Sequence, residues 1–195
     1  MTNQFGALLL SVVLLSSLVG CAGVMVGSAA TSVSMVHDRR TVGTIIDDQS
    51  IEFKIYEKLD QNEAIKSQSH INVTSYNNAV LLSGEVPTPA MRQQVEEIAR
   101  NIEKVKYVHN ELMVGPPSTL GSRSSDTWIT TKVKSSLLQI DSLPGFDPTR
   151  VKVVTERGIV YLFGLLTPAE ADAVTSTVRR VGGVQKVIVL FEYIN

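Results

Sequence analysis

The chain has 195 residues, which is enough for one or two small domains. Its formal net charge is −1, and this near-neutrality argues against a nucleic-acid-binding protein, which normally carries a basic excess. The single cysteine excludes an intrachain disulfide. With 44% hydrophobic residues, the composition is that of a small globular protein preceded by an apolar leader.

The first 20 residues have the pattern of a bacterial lipoprotein signal peptide. An apolar run from Gly6 to Val19 is too short to span a bilayer comfortably, and it leads into Leu-Val-Gly-Cys, which ends at Cys21. This tetrapeptide resembles the lipobox, in which the cysteine thiol is diacylated and the leader is removed. We therefore expect residues 1–20 to be a signal peptide and Cys21 to carry lipid. Two or three acyl chains anchor a protein stably where one does not.

The segment 21–46 is predicted to be a lipidated tether. Small residues dominate its first part, without a helical or strand period. Ala22, and not an aspartate, follows the cysteine. By analogy with lipoprotein sorting, this residue favours a lipid-anchored position on the periplasmic face of the outer membrane.

The first of two repeated patterns follows, and we predict it to be a domain at 47–114. Its apolar stripe at helical spacing indicates a helix, for which Asp47, Asp48 and Ser50 are cap candidates. Asn77-Asn78 is a tight-turn signal between two alternating strands. The predicted elements are a helix with Ile51, Ile55 and Leu59 inward, strands at 71–76 and 79–86, a helix from Thr88, and a strand at 105–114.

A linker rich in glycine, proline and serine is predicted at 115–125, and a second domain at 126–195 repeats the pattern. Asn78 and Gly158 fall at the same turn, where a positive φ is expected. The equivalent pairs are Ile51 and Ile129, Ile55 and Val133, Val73 and Val153, Gly84 and Gly164, and Val105 and Val184. We predict an α+β fold of two tandem α-β-β-α-β domains, each with a mixed three-stranded sheet and its helices on one face.

The sequence offers few reactive groups that could converge in an active site. The histidines are His37, His70 and His109, and none has a second metal ligand three or four residues away. Adjacent acids such as Asp47 and Asp48 do not face each other on a helix, and we interpret them as solvated helix charge or caps. There is no phosphate-binding glycine loop and no Gly-x-Ser-x-Gly motif. We therefore predict a protein that is not an enzyme, with no cofactor, no metal site and no small-molecule substrate.

The first helix of the second copy has two distinct faces. On a wheel of about 100° per residue, Ile129, Val133, Leu137 and Ile140 cluster toward the core. A second side carries the sole tryptophan, a leucine and small hydroxyl residues, flanked by lysines and without an acid. The candidate lipid-binding residues from the wheel are Trp128, Thr131, Ser135 and Leu138, with Lys132 and Lys134 flanking them.

Such a face suits the surface of an anionic bilayer, because tryptophan partitions to the headgroup region and lysines are attracted to anionic lipid. The first copy has Ser50 in place of Trp128. Residues 47–114 hold 7 basic and 11 acidic side chains, a net charge of −4, whereas residues 127–195 hold 8 basic and 6 acidic ones, a net charge of +2. The alternative from the residues alone is that Trp128 packs against the neighbouring copy or the linker.

The repeated turn, strand and glycine pattern resembles the BON domain family, and the resemblance covers nearly all of the chain after Cys21. The chain is more similar still to the two-domain outer-membrane lipoproteins of that family. This similarity lies in the strings Asp126–Val133, Ile71–Thr74, Val42–Thr44 and Asp47-Asp48. The resemblance implies a lipoprotein that binds anionic phospholipid, chiefly phosphatidylglycerol, through the first helix of the second domain. Carried over by position, it implies that Thr127 contacts lipid together with the six residues from the wheel. It also implies accumulation at division sites and support of envelope integrity.

The alternatives to phospholipid binding are a protein-interaction scaffold and an envelope hydrolase. A periplasmic protein-interaction scaffold for the outer-membrane assembly machinery would use Trp128 and Leu138 in a protein interface. An envelope hydrolase would need a nucleophile and a base, which the sequence does not offer. The expected partners are therefore an anionic phospholipid membrane and outer-membrane assembly proteins, and not nucleic acid.

Overall fold

The computed structural model describes residues 38–195. The predicted signal peptide, Cys21, His37 and the first part of the predicted tether lie outside the described residues. Within the described part, no helix is both long enough and apolar enough to cross a membrane.

In the first domain, helices cover one face of a small mixed sheet. Strands β1 and β2 form an antiparallel hairpin, while β3 and then β4 pair in parallel with β2. The elements are α1 (Val42–Asp60), α2 (Glu63–Gln68), β1 (His70–Tyr76), β2 (Ala79–Val86), α3 (Pro89–Arg100), β3 (Tyr107–Asn110) and β4 (Met113–Val114). Apolar side chains of α1 and α3 and of the covered sheet face form the first core.

The second domain repeats this arrangement without the short second helix. Strands β5 and β6 are antiparallel, and β7 pairs in parallel with β6, in the order β5-β6-β7. The elements are α4 (Leu120–Leu137), a 3-10 turn (Pro148–Arg150), β5 (Lys152–Glu156), β6 (Ile159–Leu166), α5 (Pro168–Val178) and β7 (Lys186–Tyr193). The predicted α+β class and the mixed sheets are confirmed.

Both leading helices begin earlier than the sequence analysis predicted. Residues 42–46, assigned to the tether, are the first turn of α1, and residues 120–125, assigned to the linker, open α4. Thr41 and Thr119 are the N-caps, and their side chains accept from backbone N–H groups three residues later. The prediction failed because glycine and serine in these first turns have low helix propensity, which the caps offset.

The predicted strand at 105–114 is two strands, so the first sheet has four strands and not three. β3 ends at Asn110, whose side-chain oxygen accepts from the backbone N–H of Leu112 at 3.3 Å. Leu112 is buried in the first core. The chain therefore turns inward between β3 and β4 before pairing with β2 again.

Asp48 of α1 holds the turn of the β1–β2 hairpin. It is buried, and its carboxylate accepts from the backbone N–H groups of Asn77 and Asn78, each at 2.8 Å, and from the Ser75 hydroxyl at 2.7 Å. Both asparagines have positive φ, as predicted for Asn78. The interpretation of Asp48 as a cap or solvated charge was wrong, because this carboxylate is a buried acceptor for a tight turn.

Asp126 of α4 does the same in the second domain. Its carboxylate accepts from the backbone N–H groups of Arg157 and Gly158, at 2.9 and 2.8 Å. Both turn residues have positive φ. Each leading helix is thus fixed to its own hairpin by a buried, charge-assisted pair of hydrogen bonds.

The two sheets pack against each other through the faces that their helices leave uncovered. Tyr76 and Leu81 of the first domain and Tyr161 and Phe163 of the second form a separate buried core. The Tyr76 and Phe163 rings stack with centroids 5.7 Å apart. The result is a four-layer arrangement of helices, sheet, sheet and helices, with α1 and α4 in the two outer layers.

Two arginines at the start of the described chain contact different domains. Arg39 forms a bidentate pair with Glu170 at the N-terminus of α5, at 2.6 and 2.9 Å. Arg40 bonds to Asp48 at 2.8 Å and lies 3.9 Å above the Tyr76 ring. Residues 39 and 40 therefore fasten the chain at the junction of the two domains.

Candidate membrane-binding face

The outward side of α4 exposes large apolar side chains along its whole length. Leu120 is 80% exposed, Trp128 63% and Leu138 70%. At a rise of about 1.5 Å per residue, Leu120 and Leu138 stand about 27 Å apart. We call the surface formed by Leu120 and the seven candidate residues the α4 outer face.

Hydroxyl groups fill the space between these apolar side chains. Thr127 donates to the carbonyl of Arg123, and Thr131 donates to the carbonyl of Thr127, each at 3.0 Å. Ser135 is exposed beside them. Both hydroxyl groups donate their protons to carbonyls of the helix, and both side chains are exposed. Their oxygens can therefore accept hydrogen bonds from the solvent side.

The two lysines of the face are not equivalent. Lys134 is exposed, whereas Lys132 is half-buried and its ammonium donates to the carbonyl of Gly182, just beyond α5. From Leu120 to Leu138 the one acidic residue is Asp126, which is buried and directed at the hairpin turn. The α4 outer face therefore carries positive charge and no carboxylate, and Lys134 is the cation most available to an external anion.

The opposite side of α4 fixes the orientation of this face. Ile129, Val133 and Leu137 are buried in the second core, as predicted. Thr130 shares a hydrogen bond with Thr155 of β5 at 2.7 Å. Because these contacts and Asp126 hold the helix on its sheet, the predicted residues form one continuous outward surface. Trp128 is exposed, which removes the alternative that it packs against the other copy or the linker.

The equivalent helix of the first domain presents a different surface. Val42, Ile46 and Phe53 are exposed on α1. Exposed charges of both signs accompany them, Glu57 and Asp60 together with Lys54 and Lys58. This helix offers apolar contact as α4 does, but its acids disfavour an anionic bilayer.

The domain junction also contains a polar cluster that was not predicted. Asn72 donates to Glu156 at 2.7 Å, and Arg157 lies 3.4 Å from the fully buried Glu85. Burial raises the pKa of the Glu156 carboxyl, and the hydrogen bond from Asn72 offsets this only in part. Burial, with Arg123 nearby, lowers the pKa of His70. These groups lie far apart in sequence, so no local motif reveals that they meet.

Comparison with known proteins settles the family. The BON domain model matches residues 47–116 and again residues 125–195. The chain belongs to the BON domain family. The two matches coincide with the two structural copies described above, so this is a dual BON-domain protein, as the repeat and turn patterns predicted.

Curated relatives of this BON-domain protein match it over most of their length. It is 36% identical over 90% of both chains to the outer membrane lipoprotein DolP of Haemophilus influenzae. It is 39% identical to a 21 kDa hemolysin of Actinobacillus pleuropneumoniae, over 80% of this chain and 79% of the relative. It is 32% identical to the osmotically-inducible protein Y of Escherichia coli, over 75% of this chain and 72% of that protein.

Leu120 is the residue of the α4 outer face that sequence reasoning missed. Residue 120 falls in the predicted linker, so it was not included in the helical wheel of this helix. One signal was present, because Thr119 precedes it and threonine is a favoured N-cap. Reading the helix from that cap would have placed Leu120 on the same side as Thr127 and Leu138.

Proposed function

We propose that this BON-domain protein is an outer-membrane lipoprotein, anchored by lipid on Cys21, that binds anionic phospholipid through the α4 outer face. The observation that carries the proposal is the exposure of Leu120, Trp128 and Leu138 on one helix side without an accompanying acid. The similarity to a protein named as an outer membrane lipoprotein supports the location. Phosphatidylglycerol is the expected ligand, and support of the envelope at division sites is the expected role.

The chemistry of the face matches a bilayer surface. Trp128 places an aromatic body and an N–H donor at headgroup depth. Leu120 and Leu138 reach the boundary of the acyl chains from the two ends of the helix. Lys134 attracts lipid phosphate, and a lysine near an anionic surface contributes about 1 kcal/mol. The lipid on Cys21 keeps this weak contact at high effective concentration, so headgroup composition decides where the protein gathers.

Vesicle binding tests this assignment. Residues 38–195 form one compact unit that includes all three cores, so this fragment is measured without its lipid anchor. We expect co-sedimentation with phosphatidylglycerol vesicles, weaker binding at higher salt, and no binding to phosphatidylcholine vesicles. Trp128 is the only tryptophan, so its emission reports the contact by shifting to shorter wavelength.

The matched pair of variants is Trp128→Glu and Phe53→Glu. Each places a carboxylate at an exposed aromatic position on a leading helix. Trp128→Glu should abolish vesicle binding, and Phe53→Glu should leave it unchanged. Equal binding of Trp128→Glu and the unmodified fragment would overturn the role of α4, and equal loss in both variants would show that the effect is not specific to this face.

A protein-interaction scaffold is the second candidate function, and the surface of α1 favours it. Val42, Ile46 and Phe53 are exposed apolar residues beside charges of both signs, which suits a protein partner better than an anionic membrane. Site-specific crosslinking from Phe53 in cells tests this. A discrete adduct with an outer-membrane assembly protein supports the scaffold, and its absence at Phe53 together with a lipid adduct at Trp128 contradicts it.

A further inference from the structure

Three ionisable side chains from both domains converge at the domain junction. His70 and Glu85 are cross-strand partners in the β1–β2 hairpin, and Glu156 ends β5 of the second domain. One donor atom from each lies within 4.8 Å of the other two, and His70 Nε2 is 3.9 Å from Glu156 Oε2. Both carboxylates are buried, Glu85 completely. We call these three residues the junction cluster.

Strand alternation explains why these side chains meet. In β2, Leu81, Ser83 and Glu85 point to the same face of the sheet. Leu81 belongs to the core between the two sheets, so Glu85 also faces the second domain. His70 is paired with Glu85 and therefore shares that face. Glu156 approaches from the opposite sheet.

A second observation points to an additional ligand at this place. Among the described residues, Ser83 Oγ is the buried side-chain polar atom that has no hydrogen-bond partner. Ser83 is 1% exposed, lies two residues before Glu85, and faces the same way. Across the hairpin it is paired with Asn72, which bonds to Glu156. A buried hydroxyl without a partner costs about 1–3 kcal/mol, so a group that supplies the missing bond is favoured there.

We propose that the junction cluster binds a divalent transition-metal ion of the Zn²⁺ type and so joins the two domains. One imidazole nitrogen and two carboxylate oxygens are ligands that Zn²⁺ accepts. Metal–ligand bonds of about 2.0–2.2 Å place two ligands of one ion about 3.5 Å apart, so side-chain movements of about 1 Å close the site. The fourth position is left for a water molecule, which can bond to Ser83.

The surroundings of the cluster can hold its carboxylates as ligands. The backbone N–H of Ser118 donates to Glu85 at 2.9 Å, and Asn72 donates to Glu156 at 2.7 Å. Such outer hydrogen bonds orient metal ligands. Arg157 is 42% exposed and only 3.4 Å from Glu85, so its guanidinium can turn toward solvent when a dication takes over the charge compensation.

A cavity of about 270 Å³ reaches two of the three proposed ligands, His70 and Glu156. Its lining also includes Asn72, Arg123 and Thr130. The sequence analysis predicted no metal site because residues 70, 85 and 156 share no local spacing. The proposal rests on the packing of the two sheets and is independent of lipid binding by the α4 outer face.

Metal titration of the full-length chain in detergent, after removal of metal with a chelator, tests the proposal. We expect one equivalent of Zn²⁺ by calorimetry, an absorption spectrum of four-coordinate Co²⁺, and no binding of Mg²⁺. Glu156→Gln and His70→Asn should each weaken Zn²⁺ binding by at least about tenfold, because loss of even an outer-shell partner has effects of that size. His109→Asn, which alters a half-buried histidine outside the cluster, is the matched control and should bind as the unmodified chain does.

Thermal melting keeps the test independent of folding defects. Zn²⁺ should raise the melting temperature of the unmodified chain and of His109→Asn, but not that of Glu156→Gln or of the near-isosteric Glu85→Gln. The proposal is overturned if the unmodified chain binds neither Zn²⁺ nor Co²⁺. It is also overturned if folded Glu156→Gln and Glu85→Gln bind one equivalent with unchanged affinity. Vesicle binding by these variants is expected to persist, which separates failure here from failure of the lipid proposal.

Discussion

Truncation of the two leucines at the ends of α4 measures how the helix lies on a bilayer. Leu→Ala removes the equivalent of about three carbon groups, each worth about 0.8 kcal/mol when buried. Leu120 is 80% exposed and Leu138 70%, so nearly the whole side chain is available for transfer. If half of each inserts, Leu120→Ala and Leu138→Ala each weaken vesicle binding by about 1 kcal/mol, which is about fivefold in Kd.

Tryptophan emission titrated with phosphatidylglycerol vesicles gives the affinities of these variants. Val42→Ala is the control, since Val42 opens α1 as Leu120 opens α4 and is 56% exposed. It should leave the affinity unchanged. Loss of binding in Leu138→Ala but not in Leu120→Ala would refute contact along the whole helix and would restrict it to the C-terminal half. Unchanged binding in both leucine variants would refute apolar insertion altogether.

Three further predictions concern the framework that holds this face. Asp126→Ala should lower the free energy of unfolding in urea by about 2–4 kcal/mol, because two hairpin N–H groups lose a charged acceptor, while Asp126→Asn should cost less. Gly84→Ala should lower the free energy of unfolding by more than about 2 kcal/mol, because Gly84 has φ 111° and a Cβ would lie 2.0 Å from the carbonyl oxygen of His70 in the paired strand. Gly115→Ala is the control and should be nearly neutral, because a Cβ there meets open space. Burial alone would raise the pKa of Glu170, but hydrogen bonds led by Arg39 lower it. The ionised Glu170 therefore stabilises the fold above its unfolded pKa of about 4.3, and this stabilisation is lost as the pH falls through the lower pKa of the folded state. In Arg39→Ala, the free energy of unfolding should depend less steeply on pH over this range.

The sequence was sufficient for features in which a local pattern has one structural solution. Ile51, Ile55 and Leu59 recur at helical spacing, and all three lie in the first core. Asn78 and Gly158 were placed in turns with positive φ, because few other residue types adopt that conformation. Six of the seven candidate residues on α4 followed from the same periodicity, since a helix with one buried side must expose the opposite one. Thr127 followed from the family resemblance. Their contact with lipid stays a prediction.

Features that depend on contacts between distant segments could not be predicted. Asp48 looked like a helix cap because the backbone N–H groups that donate to it, in the hairpin turn, come about 30 residues later. His70, Glu85 and Glu156 meet only because the two sheets pack face to face, and the order and packing of sheets leave no periodic trace in a single sequence. The start of α4 was predicted too late for a different reason. The residues of its first turn have low helix propensity, and this outweighed the N-cap signal of Thr119.

The core between the two sheets makes the domains one mechanical piece. Separating them would expose Tyr76, Leu81, Tyr161 and Phe163 to water, which would cost several kcal/mol at about 1.5–3 kcal/mol per large apolar side chain. Any torque that a bilayer exerts on α4 is therefore transmitted through both sheets to α1. If the α4 outer face binds a bilayer as proposed, Phe53 would be presented from the opposite outer layer in one fixed direction, and the headgroup composition of the membrane would determine where that surface is offered.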